Sequence, residues 1–301
     1  MAPPPPRDAS TPSARLVLYV SSMAAASLVL TSCVSRHAPQ RTSSGLWQEH
    51  TVTHDGVTLE YISVSPCERA RTQPVLLVPG MNGHARSWLE QGGLMRELFR
   101  ACPAQIVSVS LRGRGNSTAP SRGWTPEDHA RDIAAVLGEL GWRDYHMVSH
   151  SMGVAYALTY LLGEGASLPT SFTAGDYFAG VPRVTPAWAQ SVNSSPRATP
   201  GIELMTSGVL AEQGPTQTTR SFPRVAPIPF VREYSDRLDQ LDVPTLVILG
   251  TQSMPPETEE MWSMAPLLEI LRITHGHDVY TNPLAIESTL FLIETSEPIA
   301  R

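Results

Sequence analysis

The chain has 301 residues, of which 42% are hydrophobic and 17% are charged, enough for one large globular domain with a buried core. This composition excludes collagen-like, disordered and multi-span membrane proteins. The formal net charge is −6 and all 22 basic residues are arginines that form no block, so the charge pattern that holds a nucleic acid backbone is missing. Three cysteines without a Cys-x-x-Cys spacing indicate neither a disulfide-based scaffold nor a metal site.

The N-terminal segment has the pattern of a secretory signal. Residues 1–32 combine a polar, proline-rich start with an apolar run from Leu16 to Leu30, which is too short to span a bilayer. The run ends in Leu-Thr-Ser-Cys33, which resembles the bacterial lipobox, whose cysteine is lipidated and becomes the mature N-terminus. We therefore expect lipidation at Cys33, a polar tether over residues 33–45 and a membrane-anchored location in the cell envelope. An ordinary secretory signal with Cys33 near the cleavage site by chance is the alternative.

The first predicted elements form an antiparallel pair of strands. The stretch from Val57 to Val64 alternates apolar and polar residues after the turn signal Asp55-Gly56, as in a half-exposed strand. Its expected partner is the stretch from Trp47 to Val52.

Further along the chain, short apolar runs alternate with helical patterns. The runs suit strands that are buried on both faces, and they are Val75–Val78, Gln105–Val109, Tyr145–Val148, Thr245–Leu249 and Leu271–Ile273. Thr125-Pro126 starts one helix between them and Asn282-Pro283 starts the last one, each with proline at the first helical position. The alternation predicts an α/β sheet with helices on both faces.

Two cysteines remain within this body of the chain. Cys67 precedes the strand that begins at Val75, and Cys102 precedes the strand at Ile106. Adjacent parallel strands would bring these two starts together, so one interpretation is a disulfide formed in an oxidising compartment. Two separate buried thiols are the other interpretation, because sequence alone does not place the two Cα atoms within bridging range.

Residues 180–243 interrupt the alternation with many prolines, scattered apolar residues and no clear strand. We interpret them as an insert between two parts of one core, residues 46–179 and 244–298. Ligands of open α/β sheets bind at the carboxyl ends of the strands, and the insert is expected to cover that end as a small cap.

A strand, a sharp turn and a helix surround Ser151. The strand ending at Val148 runs into Ser149-His150-Ser151-Met152-Gly153, and a helical pattern follows. This order is typical of the nucleophile elbow written G-x-S-x-G, in which strained backbone presents a serine and small neighbours let strand and helix approach. Ser149 takes the place of the first glycine.

From about residue 46 to 298, the order of motifs resembles the α/β-hydrolase fold family. Val-Pro79-Gly-Met81-Asn-Gly-His84 is similar to that family's oxyanion loop, although Pro79 stands where a histidine is usual. The stretch Leu111–Ser117 is similar to its arginine-glycine turn. The resemblance implies a mostly parallel sheet of about eight strands, with an oxyanion held by the main-chain N–H groups of Met81 and Met152.

The same resemblance points to a base near the C-terminus. His277 follows a glycine and precedes the helix at Pro283, which is where the family places its catalytic histidine, and His275 is interpreted as a loop residue. His150 is interpreted as a packing neighbour of Ser151. Surface positions are the expectation for His37, His50, His54 and His129.

The acid is harder to place. The family usually has an aspartate in the loop after the strand ending at Gly250, but this chain has Ser253 there, and serine cannot stabilise an imidazolium by charge. In some members of that family the carboxylate comes instead from the end of the strand after the elbow helix, which also faces the histidine, and Asp176 stands at that expected strand end, so the resemblance favours it. Glu257 is an alternative acid, and a chain without a functional acid is the third possibility.

The resemblance implies a serine hydrolase that cleaves a carboxylic ester or similar acyl bond through Ser151, Asp176 and His277, with no cofactor or metal. Other reactions on the same triad stay open, namely C–C bond hydrolysis, lactone opening and perhydrolysis, because a fold does not fix a function. A non-catalytic lipoprotein that binds a ligand is the alternative from another class, motivated by Ser149, Pro79 and Ser253. The expected partners are a small ester or acyl substrate and a membrane, without nucleic acid, and the oligomeric state is left open.

Overall fold

The computed structural model describes residues 47–177, 234–254 and 256–297. The predicted signal segment, the lipidation site at Cys33, the tether and most of the insert predicted over 180–243 lie outside these ranges.

The described residues form one mixed sheet of eight strands in the order β1-β2-β4-β3-β5-β6-β7-β8. The strands are β1 (Gln48–His54), β2 (Val57–Val64), β3 (Val75–Val78), β4 (Ile106–Ser110), β5 (His146–His150), β6 (Ser171–Gly175), β7 (Thr245–Gly250) and β8 (Leu268–Ile273). The pairs β1–β2 and β2–β4 are antiparallel, and every other pair is parallel. The predicted fold class, including the antiparallel pair at the start, is confirmed.

Helices cover both faces of the sheet. They are α1 (Ser87–Gln91), α2 (Gly93–Ala101), α3 (Pro126–Leu140), α4 (Met152–Leu161), α5 (Thr258–Trp262) and α6 (Pro283–Thr295). Successive residues of β3 alternate between two cores: Leu76 and Val78 pack with residues of α3 and α4, while Val75 and Leu77 pack with residues of α2 and α6. No helix within the described ranges is long and apolar enough to cross a bilayer.

The predicted start of α3 is a complete capping box. The Thr125 side chain accepts a hydrogen bond from the Asp128 N–H, and the Asp128 carboxylate accepts one from the Thr125 N–H, with Pro126 at the first helical position. The helix ends at Gly141, which adopts the left-handed conformation that glycine accepts without steric cost.

A disulfide bond joins Cys67 to Cys102, whose Cα atoms are 5.7 Å apart. The two cysteines precede β3 and β4, which are adjacent and parallel, so the structure follows the first of the two interpretations. Main-chain pairing continues beside the bond, where Thr72 and Pro103 form an isolated bridge.

The surface expectation for His129 is wrong. This α3 residue is completely buried. Its Nε2 lies 2.8 Å from Nη1 of the buried Arg114, so the polar ring has a hydrogen-bond partner that makes its burial tolerable. His50 and His54 are half-buried and also have partners: His50 stacks on Tyr61, and His54 bonds a carboxylate on α3. His37 lies outside the described residues.

Candidate active site

The turn between β5 and α4 consists of Ser151 alone, since β5 ends at His150 and α4 begins at Met152. Ser151 has φ 51° and ψ −131°, a conformation that non-glycine residues rarely adopt and that the surrounding structure must hold in place. Its N–H donates to the Gly175 carbonyl at 2.8 Å. Gly153 allows the close approach, because a Cβ at that position would collide with the Pro79 carbonyl.

Asp176, His277 and Ser151 form one hydrogen-bonded chain at the carboxyl end of the sheet. Nδ1 of His277 lies 2.6 Å from Oδ2 of Asp176, and its Nε2 lies 2.8 Å from the Ser151 Oγ. A carboxylate only accepts hydrogen bonds, so Nδ1 carries the proton and Nε2 is left to accept the proton of the hydroxyl. The three residues have the geometry of a nucleophile, a base and an orienting acid.

The buried carboxylate of Asp176 is itself held from two sides. Its second oxygen, Oδ1, accepts the Gly250 N–H at 2.8 Å, and the Asp176 N–H donates to the Ile248 carbonyl at 2.7 Å. Asp176 follows β6 directly and has φ 49°, so the chain turns sharply there and directs the side chain back over the ends of β6 and β7.

The two other positions considered for an acid do not contact the His277 ring. Ser253 donates its hydroxyl to the Gly250 carbonyl at 3.1 Å. Glu257 is solvent-exposed at the start of α5. Among the described carboxylates, Asp176 is the one that hydrogen-bonds the ring.

His150 contacts the loop that carries His277 and donates a hydrogen bond to its main chain. Its Nε2 lies 2.8 Å from the His277 carbonyl oxygen, to which it donates, and the two ring centroids are 4.7 Å apart. Burial, together with the nearby His277, lowers the pKa of His150 to about 4, so this ring is neutral at physiological pH. The expectation that His150 packs beside Ser151 agrees with this arrangement.

Ser149, which stands in place of the first glycine of the elbow, makes hydrogen bonds through both its side chain and its carbonyl. The Ser149 side chain is buried and its hydroxyl donates to the Thr173 carbonyl at 3.3 Å. The Ser149 carbonyl accepts the Tyr280 hydroxyl at 2.9 Å. The Tyr280 ring occupies the space beside Gly175, where a Cβ would collide with it.

The loop after β3 lies directly against Ser151. A Cβ on Gly80 would come within 3.1 Å of the Ser151 Cβ, so Gly80, the residue before Met81, packs against the Ser151 side chain. Met152 is the first residue of α4, and the first N–H groups of a helix have no acceptor within it. The two N–H groups predicted to hold an oxyanion therefore belong to the two segments that meet at Ser151.

Buried polar residues lie behind this loop, chiefly Arg114 and His129, and they were not predicted from the sequence. The available signal was the pair of arginines in the stretch Leu111–Ser117, since an arginine in a turn between buried elements requires acceptors. Within the described ranges, no three His, Cys, Asp or Glu side chains lie close enough to hold a metal ion.

A model of the Alpha/beta hydrolase family matches residues 75–288 of the chain. Among curated proteins, an N-formylmaleamate deformylase of Pseudomonas putida is 29% identical over 108 residues, which is 36% of this chain and 37% of that protein. The aligned stretch thus spans little more than a third of the relative's length.

Solved structures share the fold at low sequence identity. An esterase from a Rhodococcus species superimposes with a TM-score of 0.60 at 18% identity, covering 84% of this chain and 100% of that one. A proline iminopeptidase of Mycobacterium smegmatis superimposes with a TM-score of 0.58 at 17% identity, covering 81% of this chain and 97% of that one.

Proposed function

The chain belongs to the alpha/beta hydrolase family, and from that premise we propose that it is a serine hydrolase that cleaves a carboxylic ester or a similar acyl bond. The observation that carries the proposal is the unbroken hydrogen-bonded chain from the Asp176 carboxylate through His277 to the Ser151 hydroxyl. Nucleophilic acyl transfer needs a base within hydrogen-bond reach of the hydroxyl and a third group that orients the base.

In the acylation half of the reaction, Nε2 of His277 removes the Ser151 proton as Oγ attacks the substrate carbonyl carbon. The carbonyl oxygen takes up the negative charge, and the N–H groups of Met81 and Met152 stabilise it. Asp176 keeps Nδ1 protonated and stabilises the imidazolium. When the tetrahedral intermediate collapses, His277 gives its proton to the leaving alcohol and the acyl group stays on Ser151.

The deacylation half repeats these steps with water. His277 accepts a proton from the water molecule as its oxygen attacks the acyl-enzyme, and the same two N–H groups hold the second oxyanion. Collapse of that intermediate returns the proton to Oγ of Ser151 and releases a carboxylic acid. Each proton that moves is carried by His277, so neither half-reaction requires a metal or a cofactor.

The same mechanism can also cleave an acyl group that is bonded to nitrogen, because the same nucleophile and oxyanion site serve esters and amides. The curated relative is named for the removal of a formyl group from N-formylmaleamate, and one structural neighbour is named an esterase. Short-chain esters and N-formyl amides are therefore the first substrates to test.

The competing proposal of a binding protein without catalysis leaves the local geometry unexplained. A binding pocket has no need of a serine at φ 51°, nor of an aspartate buried against a histidine that in turn bonds that serine. Strained residues and aligned proton acceptors of this kind are features of catalytic sites.

A fluorophosphonate probe tests the proposal, because it phosphonylates serines that are activated by a base. We expect the folded wild-type protein to be labelled and the label to disappear in Ser151→Ala. The matched control is Ser149→Ala, which removes a buried hydroxyl from β5 two residues before Ser151 and should be labelled like the wild type. Absence of labelling in the folded wild type, or labelling that survives in Ser151→Ala, contradicts the proposal.

A further inference from the structure

Arg114 is a buried cation immediately behind the loop that carries Met81. Its side chain is among the largest fully buried ones, at 2% exposure, although arginine is one of the residues least often buried. It lies in the turn between β4 and α3. A buried guanidinium has five N–H groups to satisfy, so its position is set by where its acceptors lie.

The acceptors come from several different segments. Nε donates to the Met81 carbonyl at 2.7 Å, and Nη1 donates to the Arg112 carbonyl at 3.0 Å and to Nε2 of His129 at 2.8 Å. Nη2 donates to the Tyr156 hydroxyl at 3.2 Å. One side chain thus ties the loop after β3 to its own turn, to α3 and to α4.

His129 is fixed as an acceptor for this guanidinium. Nδ1 of His129 donates to the Thr125 carbonyl at 2.9 Å, which leaves the Nε2 lone pair for Arg114. Burial and the charge of Arg114 lower the pKa of His129 to about 3, so the ring stays neutral. The ring also stacks on Tyr156, with centroids 4.1 Å apart and planes 7° apart.

The Met81 carbonyl belongs to the central peptide of a tight turn, in which the Gly83 N–H donates to the Gly80 carbonyl at 3.0 Å. The orientation of that central peptide is the variable that separates the common turn types. The turn's hydrogen bond restrains the peptide between Gly80 and Met81, which carries the Met81 N–H. The bond from Arg114 restrains the next peptide, which carries the Met81 carbonyl, so the backbone on both sides of Met81 is held before a substrate arrives.

We propose that Arg114 is a positioning residue for oxyanion stabilisation: by holding the Met81 carbonyl from the buried side of the loop, it keeps the Met81 N–H directed toward the position above Ser151. The inference rests on the proposed function, because it assigns this N–H to the oxyanion. Donors that are preorganised in this way contribute to the transition state and little to substrate binding.

The neighbouring Arg112 provides a matched comparison within the same turn. It is equally buried, and its guanidinium binds the Asp132 carboxylate and the Gly123 carbonyl, with Nη2 of Arg112 at 2.7 Å from Oδ1 of Asp132. Its bonds run to α3 and to the chain before it, away from the loop after β3. A change at Arg112 therefore disturbs the same turn without releasing Met81.

The experiment compares Arg114→Lys with Arg112→Lys, each of which keeps the charge and loses the fork of donors. Hydrolysis of p-nitrophenyl butyrate is measured together with inhibition by a trifluoromethyl ketone, which forms an adduct on serine that carries an oxyanion. Loss of a whole oxyanion donor lowers kcat by about 10²–10³-fold, so we expect a loosened one in Arg114→Lys to lower kcat roughly 10–100-fold.

The same variant should lose affinity for the ketone by a similar factor while KM stays close to the wild-type value. Arg112→Lys should keep its kcat and its ketone affinity even where its melting temperature falls. A second variant, His129→Leu, leaves Arg114 in place but removes one of its acceptors, and we expect a smaller loss of kcat in the same direction, again without a change in KM. It keeps the inference testable if Arg114→Lys does not fold.

Wild-type kcat and ketone affinity in the folded Arg114 and His129 variants would overturn the inference and leave the proposed function intact. Equal losses of kcat in the Arg114 and Arg112 variants would also overturn it, since they would reflect general damage to the turn. A folded wild type that hydrolyses no ester and resists the fluorophosphonate probe would overturn both the inference and the proposed function.

Discussion

The two ends of the parallel strands are held together by different means. At the carboxyl end, Ser151 and Asp176 adopt φ angles of 51° and 49° and are kept there by hydrogen bonds to neighbouring strands. At the amino end, a disulfide joins Cys67 to Cys102. Cys102 also has a positive φ, but as the left-handed cap of α2, which is an ordinary helix ending.

The two ends of the sheet therefore have different roles: the carboxyl end holds the candidate active site, and the amino end holds a stabilising cross-link. Non-glycine residues in strained conformations cost of order 1–3 kcal/mol each, so the carboxyl end draws on the stability of the rest of the fold. The disulfide at the amino end raises that stability without contacting the site. Changes at the carboxyl end should therefore alter activity first, and changes at the amino end should alter stability first.

The largest effect is expected for Asp176→Asn at the carboxyl end. Neutralising the acid of a triad lowers kcat by about 10⁴-fold, and we expect a loss of that order here. An amide nitrogen opposite His277 would favour the tautomer with its proton on Nε2, which cannot accept the Ser151 proton. The Gly250 N–H can still be accepted by the amide oxygen, so the fold should be retained.

Ester hydrolysis and thermal unfolding of the purified variant measure these two expectations. Glu257→Gln is the matched control, because it neutralises the other candidate acid at an exposed position and should leave kcat unchanged. Retained turnover in Asp176→Asn, combined with a loss in Glu257→Gln, would move the acid to Glu257.

The sequence was sufficient to predict the sheet and the position of Ser151. Buried parallel strands such as Val75–Val78 are short apolar runs that pattern reveals directly, and the elbow is a local motif of strand, turn and helix. Asp176 could be proposed because the resembling family offers a second strand end for the acid, and Asp176 stands at that strand end in this sequence.

Long-range polar pairing could not be predicted in the same way. His129 lies 15 residues from Arg114 in the chain and is buried against it, and nothing in a helical pattern distinguishes a buried histidine with a partner from an exposed one. The disulfide posed the same problem, since the register of β3 and β4 decides whether the two cysteines meet.

At the amino end, removing the disulfide should affect stability and spare catalysis. Closing a loop of this size, with a sequence separation of 35, contributes about 2–4 kcal/mol to the free energy of unfolding. We expect the double variant Cys67→Ser, Cys102→Ser to lose an amount in this range in urea denaturation, with kcat within roughly twofold of wild type. Single variants that leave one free thiol serve as controls for disulfide exchange. A tenfold or greater fall in kcat would show that the two ends are coupled.

The smallest expected effect concerns the pH dependence of stability and separates the two ends of one strand. His146 and His150 are the first and last residues of β5. Burial lowers the pKa of each to about 4, and the charge of His277 adds to the shift of His150. An unfolded histidine titrates near 6.5, so the unfolded state binds protons first. The stability that each neutral ring contributes is therefore complete above about pH 6.5 and is lost as the pH falls toward 4.

The variant His146→Asn isolates the amino-end contribution. Nδ1 of His146 lies 2.7 Å from the Ser171 hydroxyl, and an asparagine can keep a bond to that hydroxyl without titrating. Between pH 6 and pH 4.5, we expect the dependence of the unfolding free energy on pH to become shallower by up to about 1.4 kcal/mol per pH unit, the amount for one proton. The pH profile of kcat should not change, because His146 lies at the end of β5 opposite the site, whereas His150 bonds the His277 carbonyl. An unchanged stability slope, or a shifted kcat profile in His146→Asn, would contradict the separation of the two ends.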